Sequence, residues 1–155
     1  PGARVVATDI SSGALDLARS QFAEPSIPPS CHAPEFLLAD LLSPPPEVLG
    51  TDAEKFDLIV SNPPYIMPSE KAQMHSNVLD YEPGLALFAP EDDPVVFYKA
   101  IDRWACALLK KEGAAIVEIN SLIPEATIGA FSHFRSARII NDLSSRPRFI
   151  LLSEL

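Results

Sequence analysis

The stretch that decides the fold is SNPPYI at residues 61–66, which directly follows the apolar run FDLIV at residues 56–60. The apolar run predicts a buried strand, so the motif forms a loop at the carboxyl end of that strand. Each proline fixes its own φ, lacks an N–H donor and forces the residue before it into an extended conformation. The sequence therefore predicts a stiff loop that is rich in hydrogen-bond acceptors.

The residue types in this loop suit a planar NH2 group. The side-chain oxygen of Asn62 and the carbonyl oxygen of Pro63 can accept the two hydrogens of one such group, and Pro64 adds rigidity. Tyr65 can stack on the plane that carries the group. A weakly nucleophilic nitrogen held in this way can face an electrophilic methyl group, with positioning as the main source of catalysis. A rigid surface turn is the simpler alternative, since Pro-Pro turns are common.

Strands and helices alternate in the hydrophobic pattern around the loop, which predicts one α/β domain over residues 1–155. Further strands are predicted at 4–10, 35–41 and 114–119, and a closing antiparallel pair at 137–143 and 148–152. Helices are predicted after Ser11 or Ser12, from Pro94 to Lys110 with Gly113 as its end, and from Pro124 to Phe134. Residues 25–34 are predicted to form a loop, and residues 67–93 an irregular cover.

Together these segments resemble the class I S-adenosylmethionine-dependent methyltransferases that modify amino or amide nitrogens. Within that class the chain is most similar to the HemK/PrmC family of release-factor glutamine N5-methyltransferases. The resemblance rests on SNPPYI, ATDIS at 7–11, LADL at 38–41, YEP at 81–83 and VEI at 117–119. It implies a Rossmann-like sheet with helices on both faces, the strand order 3-2-1-4-5-7-6 and a terminal antiparallel hairpin. The family usually has Gly where this chain has Asn120.

The resemblance implies a set of residues that bind S-adenosylmethionine. Asp9, followed by Ile10, would accept hydrogen bonds from the ribose hydroxyls, by the same logic as in dinucleotide sites. Asp40 would accept from the adenine amino group, and Leu41 would pack on the ring. A helix-capping role for Asp9 and a turn role for Asp40 are the alternatives. Asn62 would lie beside the cofactor as well as the acceptor.

The resemblance also implies the substrate-binding residues. Asn62, Pro63 and Tyr65 would hold the acceptor amide, and Glu82 would bind that amide or orient the loop. A solvated loop carboxylate is the alternative for Glu82. Glu118, at the end of a predicted strand, is interpreted as a buried structural carboxylate.

The resemblance implies an enzyme that acts in translation termination. It would transfer a methyl group from S-adenosylmethionine to the side-chain amide nitrogen of a glutamine in a peptide-chain release factor. The alternatives are a nucleic-acid N-methyltransferase acting on an adenine or guanine amino group, and a non-catalytic remnant. The net charge is −9 with only 12 basic residues and no basic run. This charge argues against a nucleic-acid substrate, because phosphate binding needs clustered Lys and Arg.

The composition restricts the remaining classes of protein. Cys31, Cys106 and three scattered histidines predict neither a metal site nor a disulfide framework. Unpaired thiols favour an intracellular location, either cytoplasmic or mitochondrial. No apolar run approaches the roughly 20 residues that span a bilayer, so no membrane span is expected.

One expected element of the family is missing from the pattern. The sequence has six glycines but no Gly-x-Gly motif. The pattern also lacks the family's first strand and the helix that follows that strand. We therefore expect a partial methyltransferase domain in which the activity of the chain by itself is in question. Since that strand would lie at the sheet centre, the strands at 4–10 and 56–60 should each keep an unpaired edge, with an open cleft beside Asn62.

Overall fold

A computed structural model describes residues 2–22, 32–49, 55–74 and 76–155. The chain divides into two compact units, Pro1–Ser43 and Pro44–Leu155. Most of the predicted loop at 25–34, including Cys31, lies outside the described residues. The single domain over residues 1–155 stays a prediction.

The first unit is a parallel β-α-β arrangement. Strand β1 (Val6–Asp9) is followed by helix α1 (Ser12–Gln21) and strand β2 (Glu35–Leu38). Ser11 caps the helix, because its hydroxyl oxygen accepts from the N–H of Ala14 at 3.2 Å. β1 and β2 pair in parallel with Asp9 opposite Leu38, so their carboxyl ends lie at the same edge of this small sheet.

The second unit contains four strands and four α-helices among its described residues. The strands are β3 (Phe56–Ser61), β4 (Leu109–Glu118), β5 (Ser136–Asn141) and β6 (Pro147–Ser153). The helices are α2 (Ser76–Tyr81), α3 (Gly84–Leu87), α4 (Val96–Leu108) and α5 (Pro124–Gly129), with 3-10 turns at Glu47–Leu49 and Pro68–Gln73. No helix in the described ranges combines the length and the apolarity needed to cross a bilayer.

The sheet of the second unit has the order β3-β4-β6-β5. β3 and β4 are parallel, whereas β6 runs antiparallel to both β4 and β5. The predicted closing hairpin is thus confirmed, and the orders β2-β1 and β3-β4-β6-β5 match the 3-2 and 4-5-7-6 parts of the expected order. β1 pairs only with β2, and β3 only with β4, among the described strands. Each of these two strands, β1 and β3, therefore keeps the predicted unpaired edge within the part of the chain that the structure describes, and the cleft beside Asn62 stays a prediction.

The core of the second unit lies between helix α4 and the sheet. One face of α4 is buried, which follows from apolar side chains recurring at helical spacing over its 13 residues. The sheet contributes alternate residues of β4 and β6, as expected for strands whose successive side chains point to opposite faces. The fully buried members include Tyr98, Ile101, Val117, Ile150 and Leu152. This core fixes the carboxyl end of β4, where the site described below is built.

Two sequence predictions in this unit were wrong. Residues 67–93 are not irregular throughout, because they contain the Pro68–Gln73 turn, α2 and α3. These elements have four to six residues, too few to produce a hydrophobic period. Gly113 does not end the helix, which stops at Leu108 before β4 begins at once.

Gly113 lies instead inside β4, where the chain backbones come close together. The pairing of β3 and β4 shifts there, from Phe56 opposite Leu109 to Leu58 opposite Ala114. A Cβ at position 113 would lie 2.9 Å from the carbonyl oxygen of Lys110 and 3.2 Å from that of Phe56. Glycine is therefore required by the close approach of backbone atoms.

We predict that Gly113→Ala lowers the free energy of unfolding by about 1–3 kcal/mol, the usual cost of inserting a methyl group into a closely packed site. Gly129→Ala is the matched control, because a Cβ there has no neighbour within 4 Å. That variant should be neutral or more stable by about 0.5–1 kcal/mol. Urea unfolding of both variants measures the difference, and equal stabilities would contradict the packing argument.

Candidate active site

The Asn-Pro-Pro-Tyr loop leaves the carboxyl end of β3, as predicted. Ser61 still pairs with Val117 of β4, and the loop begins at the next residue. Pro63 is buried while Asn62 is exposed, so the loop is anchored through its first proline. At the far end the N–H of Ile66 donates to the carbonyl of Leu87 at 3.0 Å, and its own carbonyl accepts from the N–H of Ala89 at 2.9 Å. The loop is thus held at both ends by backbone hydrogen bonds.

Tyr65 is fixed at two points by residues that follow or end β4. Its hydroxyl donates to the Glu118 carboxylate at 2.8 Å. Its backbone carbonyl accepts from the side-chain Nδ2 of Asn120 at 3.1 Å. Since β4 lies beside β3 in a parallel pair, its carboxyl end is the part of the sheet that can reach this loop.

Glu118 is held from several sides. Its side chain is only 15% exposed, and Arg148 of β6 forms an ion pair with the same carboxylate oxygen at 3.0 Å. The Tyr98 hydroxyl donates to the Glu118 backbone carbonyl at 3.4 Å and accepts from the Asn120 N–H at 3.3 Å. The expected structural role of Glu118 fits these contacts, and its partner is the predicted site residue Tyr65.

Glu70 connects the site to the Pro68–Gln73 turn. One of its carboxylate oxygens accepts from the Met67 N–H at 2.8 Å and from Asn120 Nδ2 at 2.7 Å. The Asn120 side-chain oxygen accepts from the Leu122 N–H at 2.9 Å. A chain of hydrogen bonds therefore runs from the acceptor loop to the turn that follows it.

The environment of Tyr65 keeps its phenol protonated. Burial raises the pKa of Tyr65 to about 12, with further contributions from the hydrogen bond and the negative charge of Glu118. Burial also raises the pKa of Tyr98 well above its usual range. Tyr65 is therefore a hydrogen-bond donor at neutral pH and cannot act as a general base.

The Asn62 side chain differs from its neighbours in having no protein partner. It is exposed, and it forms no hydrogen bond to any other residue in the described ranges. Its amide oxygen is free to accept from a ligand, on a loop whose flanking residues are fixed. No group of three or more metal-ligating side chains that could hold an ion occurs in the described part of the chain.

The predicted cofactor residues of the first unit lie together at the carboxyl ends of β1 and β2. Asp9 accepts from the Ser11 N–H at 2.7 Å through one oxygen, and Asp40 accepts from the Leu42 N–H at 2.9 Å. Asp40 thus stabilises a turn, as its alternative interpretation required, whereas Asp9 stabilises the turn before α1 and the helix cap is Ser11, not Asp9. The second oxygen of Asp9 has no partner among the described residues. Ile10 is 51% exposed next to it, and Leu41 is half-buried.

Sequence reasoning missed several residues of the second unit's site and left one unassigned. Glu82 is exposed, with no contact that assigns it a role. The missed residues contribute through long-range contacts rather than through a motif of their own: Asn120 bonds to the loop carbonyl of Tyr65, whereas the others bond to Asn120 or Glu118, and they are Glu70, Tyr98 and Arg148. Asn120 alone carried a signal, because it stands where glycine is usual in the resembled family.

Solved structures confirm the predicted fold class. The chain superposes on the crystal structure of TrmN from Thermus thermophilus with a TM-score of 0.60 and 21% identity, over 100% of this chain and 37% of that one. It superposes on the protein-(glutamine-N5) methyltransferase from Alicyclobacillus acidocaldarius with a TM-score of 0.51 and 20% identity, over 99% of this chain and 80% of that one. The fold is that of the class I methyltransferases.

Sequence comparison finds relatives with one shared enzyme name. The chain is 36% identical over 152 residues to the release factor glutamine methyltransferase of Bacteroides thetaiotaomicron, which covers 97% of this chain and 51% of that protein. It is 32% identical over 152 residues to the enzyme of the same name from Flavobacterium psychrophilum, again over 97% of this chain and 50% of that protein. No protein-family model matches the sequence.

Both relatives carry the same name and are more than 30% identical to this chain. The chain is homologous to the release factor glutamine methyltransferases over nearly its whole sequence, which confirms the resemblance drawn from the motifs. The chain spans about half the length of the curated relatives it matches.

The raised pKa of Tyr65 predicts a specific dependence of stability on pH. Because folding raises this pKa from 10 to about 12, the folded state holds the proton more tightly, so the stabilisation is complete below pH 10 and lost as the pH rises through 12. Wild type should lose stability over this window more steeply than Tyr65→Phe, as measured by urea unfolding at each pH. In an ultraviolet titration, the variant should lack one of the phenols that ionise near pH 12 in wild type. If the phenol missing from the variant is one that ionises near pH 10, the assignment is contradicted.

Proposed function

We propose that the protein containing this chain transfers a methyl group to the side-chain amide nitrogen of a glutamine in a protein, and that this protein is a peptide-chain release factor. Two findings support the proposal: the homology to enzymes named release factor glutamine methyltransferase, and the exposed, unpartnered Asn62 on a loop fixed at both ends. The second observation carries the chemistry, because it leaves one amide oxygen available for an acceptor group in a defined position.

The methyl donor we propose is S-adenosylmethionine, and the residues of the first unit fit its adenosine part. The ribose carries hydroxyl donors, and the free carboxylate oxygen of Asp9 is a matching acceptor at the carboxyl end of β1. Asp40 stands at the end of the adjacent strand, with Leu41 beside it to pack on an aromatic ring. When bound, the cofactor supplies a methyl group on a sulfonium, which is a strong electrophile.

The loop of the second unit performs the remaining work through positioning. An amide nitrogen is a weak nucleophile, because its lone pair is delocalised into the carbonyl. Acceptors at Asn62 Oδ1 and the Pro63 carbonyl would bind its two hydrogens, increase the electron density on nitrogen and direct it along one line of attack. The proton can leave after the nitrogen becomes cationic, so no strong base is needed, in agreement with the protonated Tyr65.

A methylation assay tests this function. The complete natural protein that contains this chain should methylate a release factor in the presence of S-adenosylmethionine, with mass spectrometry placing one added methyl group on a glutamine side chain. RNA and DNA offered under the same conditions are the controls for the alternative acceptor, a nucleobase amino group. Methylation of nucleic acid alone would contradict the proposal.

Asn62→Ala tests the acceptor loop within this protein. We predict a loss of about 10²–10³ in the rate of methyl transfer, the usual effect of removing one oriented hydrogen bond at a reacting group. The affinity for S-adenosylmethionine should change little. Asn141→Ala, at an exposed position on β5, is the matched control and should retain the wild-type rate. Near-normal turnover by Asn62→Ala would contradict the assignment of Asn62 as an acceptor for the substrate amide.

Asp9→Asn separates the cofactor role from the turn. The asparagine can still accept from the Ser11 N–H, as Asp9 does, but it replaces the carboxylate that would face the ribose. We predict that the affinity for S-adenosylmethionine falls by roughly 1.5–3 kcal/mol, the range for hydrogen bonds to charged groups. Titration calorimetry measures this change, and the thermal midpoint should stay close to wild type. An unchanged affinity would leave Asp9 with its turn role only.

A further inference from the structure

Asn120 is a buried amide whose hydrogen-bonding groups are all used. It is 4% exposed, and its Nδ2 donates both to the Tyr65 carbonyl at 3.1 Å and to Glu70 Oε1 at 2.7 Å. Its Oδ1 accepts from the Leu122 N–H at 2.9 Å. Since the partner on one side is a donor and those on the other are acceptors, the orientation of the amide is determined.

The peptide group between Tyr65 and Ile66 is the part of the loop that this amide controls. Its carbonyl oxygen belongs to Tyr65 and accepts from Asn120, while its N–H belongs to Ile66 and donates to the Leu87 carbonyl at 3.0 Å. A peptide group is planar, so holding both ends fixes the direction of the whole plane. Without the Asn120 side chain, only the N–H end would stay bound.

The orientation of this plane is transmitted to the acceptor residues. Pro64 and Pro63 precede Tyr65, and each has a restricted φ, so the loop has few soft dihedral angles between this plane and Asn62. The Tyr65 hydroxyl is fixed separately by Glu118. Asn120 and Glu118 thus hold the two ends of the same residue from one end of β4.

We propose that Asn120 is a positioning residue for methyl transfer: it fixes the Tyr65–Ile66 peptide plane and, through it, the direction of Asn62 and the Pro63 carbonyl. The inference rests on the proposed function. It assigns to Asn120 an effect on the chemical step, whereas a side chain that only satisfies buried polar groups would affect stability alone.

Asn120→Asp removes both donors without changing the shape of the side chain, and it places a second carboxylate beside Glu70. In the complete natural protein that contains this chain, we expect a loss of stability and a fall in kcat of roughly 10- to 100-fold, since small displacements of reacting groups have effects of this size. The affinity for S-adenosylmethionine should stay at the wild-type value. Asn141→Ala is the control for both measurements.

The double variant Asn120→Asp with Glu70→Gln separates positioning from folding. A glutamine at position 70 can donate to the new carboxylate and still accept from the Met67 N–H, so the part of the stability lost by placing two carboxylates together should recover. The Tyr65 carbonyl still lacks its donor, so kcat should stay low. Recovery of kcat together with stability would show a purely structural role and overturn the inference.

Hydrogen exchange gives a readout that does not require activity. The Ile66 amide should exchange faster in both variants than in wild type, because its peptide plane has lost one of two supports. The Met67 amide should recover its protection in the double variant. If wild type fails to methylate a release factor, the proposed function fails. Hydrogen exchange then still tests whether Asn120 holds the Tyr65–Ile66 peptide plane. Unchanged Ile66 exchange in Asn120→Asp would overturn the inference in either case.

Discussion

The hydrogen bond between the Tyr65 hydroxyl and the Glu118 carboxylate is the interaction on which the rest of the candidate site depends. It joins the acceptor loop after β3 to the end of β4, and it has few alternatives, because the phenol is half-buried and the carboxylate is 15% exposed. Arg148 neutralises the carboxylate from β6, so the charge is not left unpaired in a poorly solvated place. Parallel pairing of β3 with β4 and antiparallel pairing of β4 with β6 bring these three residues within reach.

The site therefore consists of a loop held in a fixed position and one free side-chain amide, that of Asn62. Prolines restrict the loop, backbone bonds hold Ile66, and Tyr65 is bound at both its hydroxyl and its carbonyl. Asn62 remains exposed with its amide unpaired among the described residues. Such an arrangement suits a reaction that depends on preorganised acceptors, because the energetic cost of ordering the loop has been met during folding.

Sequence alone was sufficient where a local rule determined the structure. The apolar run before SNPPYI predicted β3 and its loop, and the serine pair Ser11 and Ser12 predicted the start of α1, where Ser11 forms the cap. It failed at Gly113, which does not end a helix but is required inside β4 by close approaches to the backbone of Lys110 in the same strand and of Phe56 in the neighbouring strand. It also missed Arg148 and Glu70, because their contacts with Glu118 and Asn120 join residues 30 and 50 positions apart. The first pair follows from the register of β4 against β6, and the second from the packing of a turn against the residues after β4; no single segment of sequence specifies either.

A structure of the complete natural protein bound to a glutamine-containing release-factor peptide and the demethylated cofactor would test the central claim most directly. The account predicts that the glutamine side-chain nitrogen lies at about 3 Å from both Asn62 Oδ1 and the Pro63 carbonyl oxygen, with Tyr65 still bonded to Glu118. A glutamine bound elsewhere, or a Tyr65 hydroxyl that has left Glu118 in the complex, would contradict it.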